Sequence, residues 1–220
     1  MHSAASTPIA LLPAPCVASS KESQILDGAA AVFARDGFEG ASMSRIAAQA
    51  GVSKGTLYNY FTGKAELFAA YMHRDCARWI GLIFDDLDPA TPPDETLRHI
   101  GRRMFAMLLS EHSLVVYRMV VSEAEKFPEL ARSFYAEGPA RAMCHLSAFL
   151  ARISLEGRLA VPDPDFAAEQ FFALIQTQLS MKRRLHLIPM PSESQIEHVV
   201  DRAVDLFLRG YGVTSLATET

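Results

Sequence analysis

Apolar positions recur along the chain at intervals of three and four from residue 25 onward, and no stretch alternates for long enough to make a strand. The first stripe, Ile25, Ala29, Val32 and Phe33, closes at Asp36-Gly37 as a glycine C-cap would. Ser42 stands as N-cap to a short helix with Met43, Ile46, Ala47 and Ala50 turned inward. Gly51 permits a tight turn plugged by Val52, and Ser53 caps a third helix anchored by Leu57 and Phe61. A fourth stripe starts at Lys64, carries Leu67, Phe68, Tyr71 and Met72, and continues past Trp79 and Phe84 to Asp88-Pro89. Pro92-Pro93 then breaks the chain.

Beyond that break, Leu97, Ile100, Met104 and Leu108 predict a helix from Asp94. Another is predicted from His112 to Lys126, a short piece over 129–136, and one opened by Pro139 at its first turn and reaching Leu155. Asp163-Pro164 opens a strongly amphipathic helix expected to run up to Pro189. Ser192 and Gln195 form an S-x-x-Q capping box for the last helix. Its Ile196, Val199, Val200, Ala203, Val204, Phe207 and Leu208 keep the 3-4 spacing until Gly210 and Gly212. The prediction is an all-α chain with a three-helix helix-turn-helix head over 20–70 and a larger helical bundle over 71–215. Residues 1–19, rich in Ala, Pro and Ser, read as a disordered arm, and the apolar run 9–12 is too short for a secretory segment.

Composition narrows the function classes. Half of the 220 residues are hydrophobic, which supplies a core, yet no run nears the ~20 apolar residues a membrane span needs. No membrane partner is expected. The net charge of −4 excludes a broad basic coat, so a nucleic-acid reader must concentrate its cations or use hydroxyls and helix N-termini. Cys16, Cys76 and Cys144 lack metal or CxxC spacing, which suits free thiols in a reducing cytoplasm. Cys144 beside His145 is a redox candidate, weighed against inert packing. None of His99, His112, His145, His186 and His198 has an i,i+4 partner of metal-binding type, and neither a metal nor a cofactor is expected. There is no HExxH, nucleophile elbow, P-loop or GxGxxG, and Glu123 and Glu125 diverge at i,i+2, which argues against an enzyme. The Lys182-Arg183-Arg184 cluster reads as a solvated helix end.

In a helix-turn-helix the second helix enters the major groove while the first crosses the backbone. Ala47, Gly51 and Val52 supply the small residue, the turn glycine and the plug that this geometry needs. The outer face of the following helix then carries Lys54, Thr56, Tyr58, Asn59 and Tyr60, with Gly55 allowing close backbone approach. Lysine suits phosphate or guanine; the hydroxyls suit phosphates. Lys64, at a helix N-terminus, is placed to help hold a phosphate.

The run Gly51-Val52-Ser53-Lys54-Gly55-Thr56-Leu57-Tyr58-Asn59-Tyr60-Phe61, followed by Gly63-Lys64, resembles the signature of the TetR/AcrR transcriptional regulators. Ala31-Val32-Phe33, Gly37-Phe38 and Ser42–Ala47 are similar to that family's first two helices, and the stretch from Tyr117 to Phe134 loosely resembles AefR-like regulators. The resemblance covers about residues 23–70. It implies a homodimer that reads a palindromic operator in double-stranded DNA, a body that binds a small-molecule effector, and a repressor that leaves its operator when that effector binds. Contacts to DNA would fall on Ser42, Ser44, Arg45, Lys54, Gly55, Thr56, Tyr58, Asn59, Tyr60 and Lys64. Candidate effector-pocket residues are Met104, Phe105, Leu108, Tyr117, Met119, Phe149, Phe171, Ile175 and Gln176. The apolar stripes near the end suggest a dimer interface of Phe172, Leu179, Val199, Val200, Ala203, Val204 and Phe207. An effector beside the helix after Lys64 would tilt it and change the spacing of the two heads. The alternatives are a DNA-binding dimer without effector, activating or architectural, and an all-helical enzyme with a vestigial head.

Overall fold

The computed structural model describes residues 20–212, and among these every regular element is helical. α1 (Lys21–Gly40) begins at Ser20, whose hydroxyl accepts the Ser23 N–H at 3.1 Å. Ile25, Leu26, Ala29, Val32 and Phe33 bury its inner face. The expected closure at Gly37 is a kink instead. With φ at 71°, a left-handed value that glycine tolerates, the chain bends and adds one more turn, bringing Phe38 back beside Phe33 and Phe68.

α2 (Met43–Gln49) and α3 (Lys54–Tyr60) follow, with Ser42 and Ser53 as their N-caps and Gly51 at φ 64° in the turn between them. Ile46, Ala47 and Leu57 sink into the core of α1. Gln24 of α1 donates to the Ala50 carbonyl at 2.6 Å, satisfying the end of α2. The approach is close enough that a Cβ on Gly28 would stand 2.7 Å from that of Ala50.

α4 (Lys64–Phe84) gives Leu67, Phe68, Tyr71 and Met72 to this first core and Ile83 to a second. The body continues with α5 (Pro93–Leu109), α6 (Glu111–Glu123), α7 (Pro128–Tyr135), a π-helical turn (Ala136–Ala140), α8 (Arg141–Leu155), α9 (Pro164–Ile175), α10 (Gln178–Arg184) and α11 (Glu193–Tyr211). The first core does not stop at the head. Val116, Met119 and Val120 of α6 and Leu130 of α7 belong to it, so α1 is packed against the body. The second core joins α5, α8, α9 and α11.

Several expected boundaries move. α4 stops at Phe84, short of Asp88, and α6 at Glu123, short of Lys126. Pro139 does not open a separate helix: it lies in the π turn through which α7 passes into α8. The wider turn removes the requirement for an ordinary i→i−4 bond at a residue that has no N–H to give. The segment after Pro164 breaks at Gln176 (φ −86°, ψ 71°), and Thr177 restarts it as the N-cap of α10. The Ser192 box is formed in both directions, Ser192 accepting the Gln195 N–H at 3.3 Å and donating its own N–H to Gln195 Oε1 at 2.9 Å.

The stripe on α11 is spent inside the protomer. Val200, Ala203, Val204 and Phe207, expected at a dimer interface, are buried against the second core, with Phe207 edge-on to Phe171 at 5.4 Å. The reason is that α5 carries an equally apolar stripe and α11 covers it. Phe172, Leu179 and Val199 are half-buried and pack on the same core.

Candidate functional site

The outer face of the head is set by what its caps and core consume. Ser42 Oγ accepts the Arg45 N–H at 3.3 Å, and Ser53 Oγ accepts the Thr56 N–H at 3.0 Å while lying 2.8 Å from Thr56 Oγ1. Leu57, fully buried, pins α3 from beneath. What remains faces outward: Ser44, Lys54, Gly55 and Asn59 are exposed, and Tyr58 and Tyr60 are 47% and 44% exposed. Two tyrosines on one short helix, rings outside the core, offer hydroxyls and ring edges to a groove. Arg45 is partly engaged, reaching Asp36 and the Gly40 carbonyl, each at 3.3 Å.

Lys64 is placed differently from its expected phosphate contact. Its ammonium donates to the carbonyls of Glu39 and Ala41, both at 3.1 Å, and lies 4.6 Å from the centre of the Phe38 ring. Burial lowers its pKa. The kink at Gly37 leaves these carbonyls without helical partners, and Lys64 supplies them. Glu66, in the first turn of α4, reaches back to accept the N–H of Thr62, the residue before the N-cap Gly63, at 2.7 Å.

In the body, a cleft opens between α4, α5, α6, the π turn and α10, with about 840 Å³ of empty space counted through its mouth. Met72, Trp79, Ile80, Ile83, Met104, Met107, Leu108 and Phe172 make its walls apolar. The polar groups are few, as in ligand pockets generally. His112 Nε2 lies 2.7 Å from Asp75 Oδ2 and 3.2 Å from the Tyr71 hydroxyl. The hydrogen bond to Asp75 raises the His112 pKa against the opposing effect of burial. Burial pushes the Cys76 thiol up to about 12, which keeps it neutral. Arg184 lies 4.7 Å over the Tyr117 ring.

Comparison with known proteins agrees with this division of labour. Residues 25–71 match the family described as bacterial regulatory proteins of the tetR family, and residues 95–213 match the C-terminal domain of AefR-like transcriptional repressors. The chain belongs to the TetR family. A TetR-family transcriptional regulator from Mesorhizobium loti shares the fold at a TM-score of 0.79 and 28% identity, over 88% of this chain and 97% of that one. The flavonoid-responsive regulator FrrA is similar at a TM-score of 0.78 and 30% identity, over 89% of this chain and 98% of that one. The fatty acid metabolism regulator protein of Bacillus subtilis is 30% identical over 96 residues, 44% of this chain and 50% of its own length. The chain thus spans about half the length of that curated relative.

Within this TetR-family body the expected pocket residues separate. Met104, Leu108 and Tyr117 line the cleft. Phe105, Phe149, Phe171 and Ile175 are packed into the second core away from it, because α9 turns Phe171 and Ile175 towards that core and Phe172 towards the cleft. Met119 borders a smaller crevice between α1, α4 and α6. Gln176 stands behind the wall, accepting from Arg184 at 2.7 Å.

Sequence reading missed Trp79, His112 and Arg184, and it placed Phe172 at an interface. The basic cluster of α10 is also not simply solvated. Arg183 is buried and donates to Glu111 Oε2 at 2.7 Å and to the Leu109 carbonyl at 3.2 Å, while Arg184 turns to the cleft. Nothing local in three consecutive cations separates the buried one from the others.

Proposed function

We propose that this TetR-family regulator is a homodimeric repressor that docks α3 in the major groove of a palindromic operator and releases it when a small, largely apolar effector enters the cleft. The exposed face of α3, with Lys54, Tyr58, Asn59 and Tyr60 outward and Leu57 fixed below, is the observation that carries the reading. Ser42, Ser44, Arg45, Gly55 and Thr56 complete the contact surface, with Arg45 exchanging Asp36 for a phosphate. Such a protein acts where the operator is, in the cytoplasm.

The cleft supports effector control because its walls belong to helices that also hold the head. α4 lines it through Met72, Trp79 and Ile83 and carries head-core residues in the same helix. α6 lines it through His112 and Tyr117, and its far end grips α1: the Glu123 carboxylate accepts the Glu39 N–H at 2.9 and 3.1 Å. An effector that fits only a displaced α4 or α6 favours a head position that no longer matches the half-site spacing.

We place the dimer surface on the outside of α8 and α9, next to the half-buried Phe172. Leu155 at the end of α8 is 91% exposed and Phe166 at the start of α9 is 53% exposed, with Ala148 and Ala173 also outward on this packed pair. Two copies of such a pair make a four-helix contact about a twofold axis.

The test is binding of selected operator fragments, followed by fluorescence anisotropy at low salt, for the unaltered protein and for Lys54→Ala and Tyr58→Ala. The reading expects each substitution to weaken binding about tenfold or more. Unchanged affinity in both would remove α3 from the recognition role.

A further inference from the structure

Many arginines of the body are paired with carboxylates, and the one that lines the cleft is not. Arg98, Arg102, Arg118, Arg141 and Arg183 each reach a carboxylate at 3.4 Å or less. Arg184 lines the cleft and has a different set of partners. Its Nη2 donates to the neutral Gln176 Oε1 at 2.7 Å, and its plane lies over the Tyr117 ring. Among the described residues no carboxylate lies within ion-pair distance of it. These two contacts fix the direction of the fork and leave most of its five N–H donors unused.

The other charged groups on the wall, Asp75 and His112, face each other at 2.7 Å. They compensate one another. The rest of the lining is methionine, aromatic and aliphatic. A half-buried guanidinium beside apolar walls, oriented but not neutralised, is suited to take one anion.

We infer that the effector is an amphipathic organic carboxylate, its acid group held by Arg184 and its apolar body lying along Trp79, Ile83, Met104 and Phe172. This rests on the effector reading of the cleft given above and adds the ligand's charge and polarity. A carboxylate matches the guanidinium fork with two parallel hydrogen bonds. A neutral ligand of equal size leaves the cation without a counter-charge, and a cationic one meets repulsion. Gln176 is a positioning residue, acting through Arg184.

Trp79 is the sole tryptophan of the chain and lies on the cleft wall, so its emission reads occupancy without reference to DNA. The full-length protein is titrated with decanoate, decanol and decylammonium, three probes that share one tail. The inference expects decanoate to bind at least about tenfold more tightly than decanol, since a hydrogen bond to a charged group is at stake, with decylammonium weakest. Arg184→Gln should abolish the preference for decanoate, bringing its affinity to that of decanol, and Arg184→Lys should recover part of the preference. Thermal melting checks that the variants are folded; the ranking of the three probes on the unaltered protein decides the matter even if a variant is not.

Equal binding of decanoate and decanol, a preference that survives Arg184→Gln, or no response of Trp79 to any probe would overturn the carboxylate assignment. Release of operator DNA is measured alongside. A decanoate preference without any release supports the assignment and contradicts effector control. Release by decanol alone does the reverse.

Discussion

Glu123, at the last turn of α6, accepts the backbone N–H of Glu39 through both carboxylate oxygens, at 2.9 and 3.1 Å, across 84 positions of sequence. Lys126 pairs with the Glu39 side chain, and Lys64 holds the Glu39 carbonyl. Glu39, near the end of α1, is thus held by the body through its N–H and side chain and by the start of α4 through its carbonyl. Glu123→Ala is expected to lower stability by about 1 kcal/mol and to reduce the loss of operator affinity produced by an effector, because α6 then moves without the head. Denaturant melts and anisotropy with and without effector check the two parts. An unaltered effector response would leave α4 as the sole link.

Lys54 and Lys64 should behave differently although both are lysines in the head. Lys54 is exposed on α3, so Lys54→Ala should reduce the salt slope of operator binding by about one phosphate contact with little change in stability. Lys64 satisfies two backbone carbonyls, so Lys64→Met should lower stability by about 1–2 kcal/mol and leave the salt slope of the remaining folded protein unchanged. Affinity as a function of salt, measured below the melting transition, separates them.

The bond between His112 and Asp75 gives a pH signature. It raises the His112 pKa above its ordinary 6.5, so the folded chain holds that proton more tightly than the unfolded chain does. The stability this contributes is fully present below the unfolded value and is lost as pH rises through the folded one. Unaltered protein should therefore exceed Asp75→Asn in stability by a clear margin at about pH 5.5 and by less at about pH 8.5. Urea melts of both across that range check it; a margin that grows with pH would contradict the pairing.

Burial divides the apolar residues into those that fold the protomer and those free to join two. Phe207→Asp places a charge in a core position 2% exposed and should prevent folding, as read by circular dichroism. Leu155→Asp with Phe166→Asp should keep full helicity and sediment as a monomer at micromolar concentration. A dimer that persists in the double variant places the interface elsewhere.

Local signals made the head legible. Ser42 and Ser53 cap because their hydroxyls need only the backbone three residues ahead, Gly51 turns because of its own φ, and Leu57 faces inward by helical period. The chain's belonging to the TetR family was likewise written in one short run of residues. The body was legible as helices and not as partners. A stripe such as Val200, Ala203, Val204 and Phe207 shows that something covers it, and it names neither α5 nor a second chain. Pro139 misled because a π turn admits it without ending the helix. Lys64 and Arg184 take partners that sequence does not show for a related reason: a cation's contacts follow from acceptors brought near by folding, here the carbonyls after the Gly37 kink and the Gln176 break.

The measurement that bears most directly on the central claim is selection of bound fragments from the source genome, followed by protection mapping of the enriched sequence. The account predicts an inverted repeat whose half-site centres lie on one face of the duplex, about 10 base pairs or a multiple apart, with protection lost in Lys54→Ala combined with Tyr58→Ala. No enriched sequence, or equal protection by that double variant, would contradict it.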